Sequence, residues 1–185
     1  MERDKKTEII FGVWHVIATE GLAAVSVRSV ASAAGVSAGR VQHYFPTKTA
    51  LVRASAETML QTAVDSNPLT QENPANPSTL RALLMHALEP AASKRVGTGV
   101  YYSYVAAAVA DPWIANLLAD AKQGLIGAVE ACVRSQYPGM KDAELHAREL
   151  VFLSDGVGQA VFLGAVSGDE GRRIIDDAIG RLGTR

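Results

Sequence analysis

A chain of 185 residues with a formal net charge of -1 is long enough for one compact domain or for a small head on a larger body, with no need of a disulfide or metal to hold it. The single cysteine, Cys132, excludes an intramolecular bridge and suits a reducing compartment, while the mixed-charge start Met1 to Lys6 carries no secretory pattern. The most apolar window, Val151 to Val166, is short and interrupted by Asp155, which excludes a membrane span and predicts a cytoplasmic protein without a membrane partner. The charge is unevenly placed. Residues 1–53 hold seven Lys and Arg against four acids, and the remainder holds eleven against fifteen, so a basic head precedes an acidic body.

Ile10, Val13, Trp14 and Ile17 form the apolar stripe of a first helix, which Gly21 ends. Val27, Val30, Ala31 and Ala34 line one face of a short second helix, and Gly35 stands where a glycine closes it in a left-handed conformation. Ser37 is placed to cap a third helix that carries Val41 and Phe45 inward and turns Arg40, Gln42, His43 and Tyr44 elsewhere. Two short helices about a glycine turn make a helix-turn-helix, whose second helix enters the DNA major groove.

The segment Val25 to Lys48 resembles the DNA-binding domain of the TetR family of bacterial transcriptional regulators, through Gly35, Val36, Ser37, Gly39, Tyr44, Phe45 and Lys48. The family usually has an aromatic residue at the place of Gln42, whose hydroxyl reaches a phosphate. An amide here leaves two possibilities, a phosphate contact or a base contact. The resemblance places Arg28, Ser37, Ala38, Gly39, Arg40, Gln42, His43, Tyr44 and Lys48 on a DNA face. By their chemistry, Arg28 and Arg40 can pair bidentately with guanine, with Arg40 the first choice for reading sequence. Ala38 and Gly39 permit close approach, and Ser37, His43, Tyr44 and Lys48 suit phosphates.

Pro46 and Thr47 break the third helix, and Thr47 can cap a fourth with Leu51, Val52, Met59 and Ala63 along it. Lys48 in its first turn opposes the helix dipole, which favours a phosphate contact over helix stability as its role. Residues 66–78, with three prolines and three asparagines, read as an exposed linker. Leu80, Leu83, Leu84, Ala87 and Leu88 form the next stripe, and Gly97 to Gly99 is expected to break it before a helix with Tyr101, Tyr104, Val105 and Ala108. Asp111 and Pro112 start a long helix running from Ile114 to Cys132.

A further helix over about 141–166 is apolar nearly all round in its second half, and Ser167 to Glu170 has the spacing of a capping box ahead of a last helix with Ile174, Ile175, Ala178 and Leu182 inward. These two helices are expected to pack on their copies in a two-fold dimer, through Val157, Val161, Gly164, Ile175 and Ile179, the alternative being that Val151 to Val166 is the central helix of a monomer. The Asp155-Gly156-Val157 segment and the last helix also resemble the C-terminal domain of TetR regulators of the betaine/choline-responsive type. Candidate ligand-facing residues are His86, Tyr101, Tyr102, Tyr104, Trp113, Phe152, Asp155 and Gln159, which combine aromatic faces with a few polar groups.

No catalytic constellation is present. Gly156-Val157-Gly158 has no preceding strand and lacks the third glycine of a dinucleotide site, and His15, His43, His86 and His146 lie in separate helices without metal-ligand spacing. Cys132 lies in an apolar stripe as an inert thiol. The reading is therefore all-α, not an enzyme, and without cofactor or metal. It comprises a three-helix DNA-binding head at 1–48 and an effector-binding and dimerisation body at 49–185. The resemblance implies a homodimeric repressor on a near-palindromic double-stranded operator, released by a small-molecule inducer. An activator or co-repressor-dependent regulator, a helical enzyme and a protein-binding scaffold are the alternatives.

Overall fold

A computed structural model describes residues 2–65, 73–88 and 92–184, and among them the backbone forms α-helices joined by turns, with no strand. The helices are α1 (Glu2–Glu20), α2 (Val27–Ala33), α3 (Ala38–Tyr44), α4 (Lys48–Asp65), α5 (Pro77–Met85), α6 (Ala92–Ala107), α7 (Pro112–Gln136), α8 (Ala143–Leu163) and α9 (Gly168–Gly180). They fall into two compact units. The first holds residues 1–64 and 96–118, and the second holds residues 65–95 and 119–185.

In the first unit, α1 buries Ile9, Ile10, Val13, Val16 and Ile17 against Val30 of α2, Val41 of α3 and Leu51 of α4. The ends of these helices are set by local chemistry. Gly21 and Gly35 take φ of 84° and 64°, which only glycine adopts without strain, and each closes the helix before it. Ser26 and Ser29 form a reciprocal capping box at the start of α2, a signal absent from the sequence reading because serine replaces the usual acid or amide. Gly12 is needed for space: a Cβ there would stand 2.9 Å from the Ala34 side chain and 3.1 Å from the Val30 carbonyl. Its absence lets α1 lie close on α2.

The same core extends into Val100 and Tyr104 of α6 and Ile114 of α7. Gly97 and Gly99 do not break a helix, as expected from the sequence, but lie within α6. Each glycine costs roughly 1 kcal/mol in a helix interior, and burial of Val100 and Tyr104 just beyond them outweighs that cost.

Tyr104 is fully buried, and its hydroxyl meets the Ser55 hydroxyl of α4 at 2.7 Å. Ser55 donates to the Val52 carbonyl at 2.7 Å, so Tyr104 is the donor to Ser55. Trp14 of α1 donates its indole N–H to the Ser55 carbonyl at 3.2 Å. Burial pushes the Tyr104 phenol up to about 12, against the opposing pull of its bonds with Ser55 and Trp14.

In the second unit, α5 starts inside the predicted linker: Asn76 accepts from the Ser78 amide at 3.0 Å, and Pro77 takes the first helical position. Gln136 of α7 donates to the Pro74 and Asn76 carbonyls at 2.8 and 3.0 Å and holds that start in place. Residues 66–72 of the predicted linker lie outside the described residues. Leu80, Leu84, Val129, Val133, Ala147, Val151 and Ile175 are completely buried in a core shared by α5, α7, α8 and α9, and Ser154 of α8 donates to the Leu84 carbonyl at 2.6 Å.

Gly171 brings α9 onto α8, because a Cβ there would meet Val157 and Val161 at 3.0 Å each. Val157, Val161 and Ile175, expected at a dimer interface, thus close the protomer's own α8 to α9 contact, and Ile179 also packs on this core. Gly164, expected within the helix as part of the same interface, instead ends α8 at φ 77°. Large apolar side chains left exposed on α8 are Leu145, Phe152 and Leu163, with Phe152 55% and Leu163 71% accessible. No helix among the described residues is long and apolar enough to cross a membrane.

The Ser55 and Tyr104 hydroxyls give a direct test of the first unit's core. Ser55→Ala removes the oxygen that accepts the buried phenol's proton and should cost about 1–3 kcal/mol, Tyr104→Phe about 1 kcal/mol, and the double variant less than the sum of the two. Urea denaturation of the full-length chain measures all three, and simple additivity would show that the two hydroxyls do not act as a pair.

Candidate nucleic-acid interface

Helix α3 has seven residues and is held at both ends. Ser37 accepts from the Arg40 amide at 3.2 Å, and the Phe45 amide donates back to the Val41 carbonyl at 2.8 Å. Val41 and Phe45 fasten one side of the helix into the core. Ala38, Gly39, Arg40, Gln42 and His43 are exposed, as are Arg28 on α2 and Ser37 at the cap. The structure therefore brings most of the predicted DNA-facing residues to the solvent side of one helix-turn-helix. Arg28 and Arg40 supply its guanidinium groups and Gln42 its amide.

Two predicted residues have further work inside the protein. Tyr44 is half-buried against the head's core, with His43 edge-on to its ring at 5.3 Å between centroids. Lys48 is exposed, and its ammonium donates to the Ala23 carbonyl at 3.0 Å, closing the turn after α1. An ammonium has three donors, so this bond leaves capacity for a phosphate. Thr47 caps α4 as expected, accepting from the Ala50 amide at 3.0 Å.

Gly39 is distinct from the head's other glycines. Its φ is not in the left-handed range, and a Cβ built on it meets nothing within 4 Å. Neither backbone conformation nor a packing contact requires a glycine at this position in the first turn of α3. Without a side chain, the backbone there is open to close approach from outside the protomer.

The predicted ligand-facing residues divide between the two units, with Tyr101, Tyr102, Tyr104 and Trp113 in the first and His86, Phe152, Asp155 and Gln159 in the second. In the first unit, Tyr104 is consumed in the core, a correction to its predicted place on a pocket wall. Tyr101 and Tyr102 are half-buried and pack edge-on to each other at 5.7 Å. Trp113 carries the Arg53 guanidinium over its ring at 5.4 Å.

In the second unit, His86, Phe152, Asp155 and Gln159 are exposed, and Asp155 is paired with Lys122 of α7 at 2.6 Å. A cavity of about 140 Å³ opens between α8 and the end of α9, lined by His146, Glu149, Leu150, Leu153, Ala178, Arg181 and Leu182. It contains none of the predicted residues and is smaller than the roughly 300–1,000 Å³ of typical ligand sites. Burial pushes the Cys132 thiol up, as expected of an inert core cysteine.

Asp111, expected from sequence to start α7, also makes a close ion pair with Arg53 that the sequence does not announce. Arg53 of α4 forks onto both oxygens of Asp111 at 2.8 and 3.0 Å, while Asp111 also accepts from the Trp113 amide at 3.0 Å and so caps α7. The Arg53 hydrogen bond holds the Asp111 carboxyl below the usual carboxylate range.

No curated protein matches the chain. The chain is similar over nearly its whole length to several solved structures. A transcriptional regulator from Saccharomonospora viridis in complex with choline has 24% identity and a TM-score of 0.83, covering 96% of each chain. A transcriptional regulator from Rhodococcus sp. RHA1 has 23% identity and a TM-score of 0.82, covering 96% of this chain and 95% of its own. A TetR transcription regulator from Haloarcula marismortui has 18% identity and a TM-score of 0.83, covering 95% and 96%. At these identities the likeness establishes the fold.

The family follows from the sequence profiles. The profile for bacterial regulatory proteins of the tetR family matches residues 12–55, which contain the helix-turn-helix. The profile for the C-terminal part of a BetI-type transcriptional repressor matches residues 77–184, more than half of the chain. The chain is a DNA-binding transcriptional regulator of the TetR family with a BetI-type C-terminal domain.

Proposed function

We propose that this protein is a ligand-responsive repressor that binds a near-palindromic operator as a homodimer. Residues 1–48 meet the DNA, and residues 49–185 serve dimerisation and effector binding. The observation that carries the DNA side is the exposed face of α3, where Gly39 leaves the backbone open to close approach beside exposed Arg40 and Gln42. Close approach of the backbone there brings Arg40 within reach of guanine O6 and N7 and Gln42 within reach of a base edge or a phosphate. Arg28, Ser37, Ala38, His43, Tyr44 and Lys48 complete the contact, mostly to phosphates. Half-sites would lie about one helical turn, ~34–36 Å, or a multiple apart.

Repression rather than activation is favoured by the matching C-terminal profile, which describes a repressor. Dimerisation on the α8 and α9 side is supported by the exposed Leu145, Phe152 and Leu163, apolar side chains that a second copy would remove from water. For the effector we propose a small organic cation of the choline type, the ligand of the Saccharomonospora viridis structure. In the first unit the aromatic faces of Tyr101 and Tyr102 suit a cation, and in the second the carboxylate of Asp155 is a separate candidate. At Asp155 such a ligand would compete with the Lys122 ammonium, which already holds both carboxylate oxygens.

Selection of bound duplexes from a randomised library tests the whole reading. The expected winner is a near-palindrome bound by two protomers and released by millimolar choline in a fluorescence anisotropy titration. Winners without two-fold symmetry would contradict the dimeric operator, and indifference to choline would remove this effector class.

Three substitutions test the interface itself. Gly39→Ala should stabilise the head by up to about 1 kcal/mol while weakening operator binding, and a variant that gains stability at unchanged affinity would remove the close-approach role. Arg40→Ala should cost about 1–3 kcal/mol at one base position, whereas Lys48→Ala should weaken all sequences alike and lower the salt slope by about 1. Equal losses on operator and random DNA for Arg40→Ala would deny it a part in reading sequence.

A further inference from the structure

The head ends in α4, and α4 is held at the start of α7 by a cluster that DNA recognition does not use. Arg53 presents a two-pronged fork to Asp111 at 2.8 and 3.0 Å and lies over the Trp113 ring at 5.4 Å, while Asp111 caps α7 through the Trp113 amide at 3.0 Å. The three groups constrain one another. The fork sets the plane of the guanidinium, the indole face supports that plane, and the cap sets the position of the carboxylate.

Stability does not account for the arrangement. Arg53 and Asp111 are partly exposed, with side chains 38% and 20% accessible, and ion pairs at such sites contribute little to folding. The buried Ser55 to Tyr104 bond and the surrounding apolar core already attach α4 to α6. Packing of that apolar surface sets an approximate crossing angle for α4, with appreciable scatter. The Arg53 fork, being planar and directional, adds a further constraint on the angle of α4 against the first turn of α7, the helix that continues from Pro112 to Gln136.

We propose that Arg53 and Asp111 are positioning residues for DNA binding: their bidentate pair sets the orientation of the head relative to α7, and thereby the half-site spacing that a dimer accepts. The proposal rests on the dimeric reading above. It concerns neither base reading nor phosphate contact, so it separates cleanly from the roles of Arg40 and Lys48. Asp111→Asn keeps a good helix cap and removes the charged fork. Arg53→Lys keeps the charge and removes the planar geometry.

The test uses the full-length protein, the selected operator, a set of the same operator with one to three base pairs added or removed at its centre, and a duplex holding a single half-site. The unaltered protein should show one spacing optimum. Both variants should bind the single half-site as the unaltered protein does, while their preference for the optimum over its neighbours falls by about five-fold or more, the scale of a coupling between sites.

An unchanged spacing profile in both variants would overturn the proposal. So would a loss of affinity shared equally by the single half-site, which marks a general structural role. An unaltered protein that binds operator with no spacing optimum would overturn the dimeric reading and the proposal with it.

Discussion

A seven-residue helix is too short to persist in water by its own hydrogen bonds, so α3 exists only because Val41 and Phe45 are buried against α1, α2 and α4. That constraint shapes everything on its outer face. The helix is capped by Ser37 and preceded by a glycine that only a left-handed turn demands, and its inner positions are spent on packing. What remains outside is a short row of small and polar residues on a rigid support. A surface of that kind suits a groove, because ordering was completed during folding and is not repeated on binding.

The rest of the first unit extends this support. Trp14, Ser55 and Tyr104 link α1, α4 and α6 through buried hydrogen bonds, and the Arg53 to Asp111 fork adds the start of α7. Residues distant in sequence therefore belong to the same mechanical body as the recognition helix. In such a body, a ligand can alter DNA affinity only to the extent that it binds one arrangement of these helices better than another. The candidate ligand residues bear on this directly, since Tyr104 and Trp113 are already engaged with Ser55 and Arg53 of α4.

Local signals in the chain were readable, and partnerships across the chain were not. Gly21, Gly35, Ser37, Thr47, Asp111 and Pro112 announce helix ends through conformational rules that hold wherever they occur. The family resemblance rested on the same local segment, which is why the head and its exposed residues were legible. Gly97 and Gly99 misled because intrinsic preference yields to the burial of Val100 and Tyr104, a fact of tertiary packing. Gly164, expected within α8 at a dimer interface, ends that helix, whereas Gly171 provides the close contact, against Val157 and Val161. Both glycines look alike in sequence, and only the partner helix distinguishes them. Arg53 and Asp111 are 58 residues apart, a separation at which an arginine and an aspartate carry no mutual signal. The ligand-facing set carries the weakest signal in sequence, since an aromatic side chain fits a core and a pocket wall equally well.

On the proposed reading, DNA meets the outer face of the helix-turn-helix before any other surface. Hydrogen–deuterium exchange of the full-length protein with and without a selected duplex tests it most directly. The account predicts new protection in peptides spanning Ser26 to Ala50, strongest around Ser37 to Tyr44, whose outer side chains are exposed in the free protein. Protection confined to α7, α8 or α9 with residues 26–50 unchanged would contradict it, and would move the DNA-binding surface to the body.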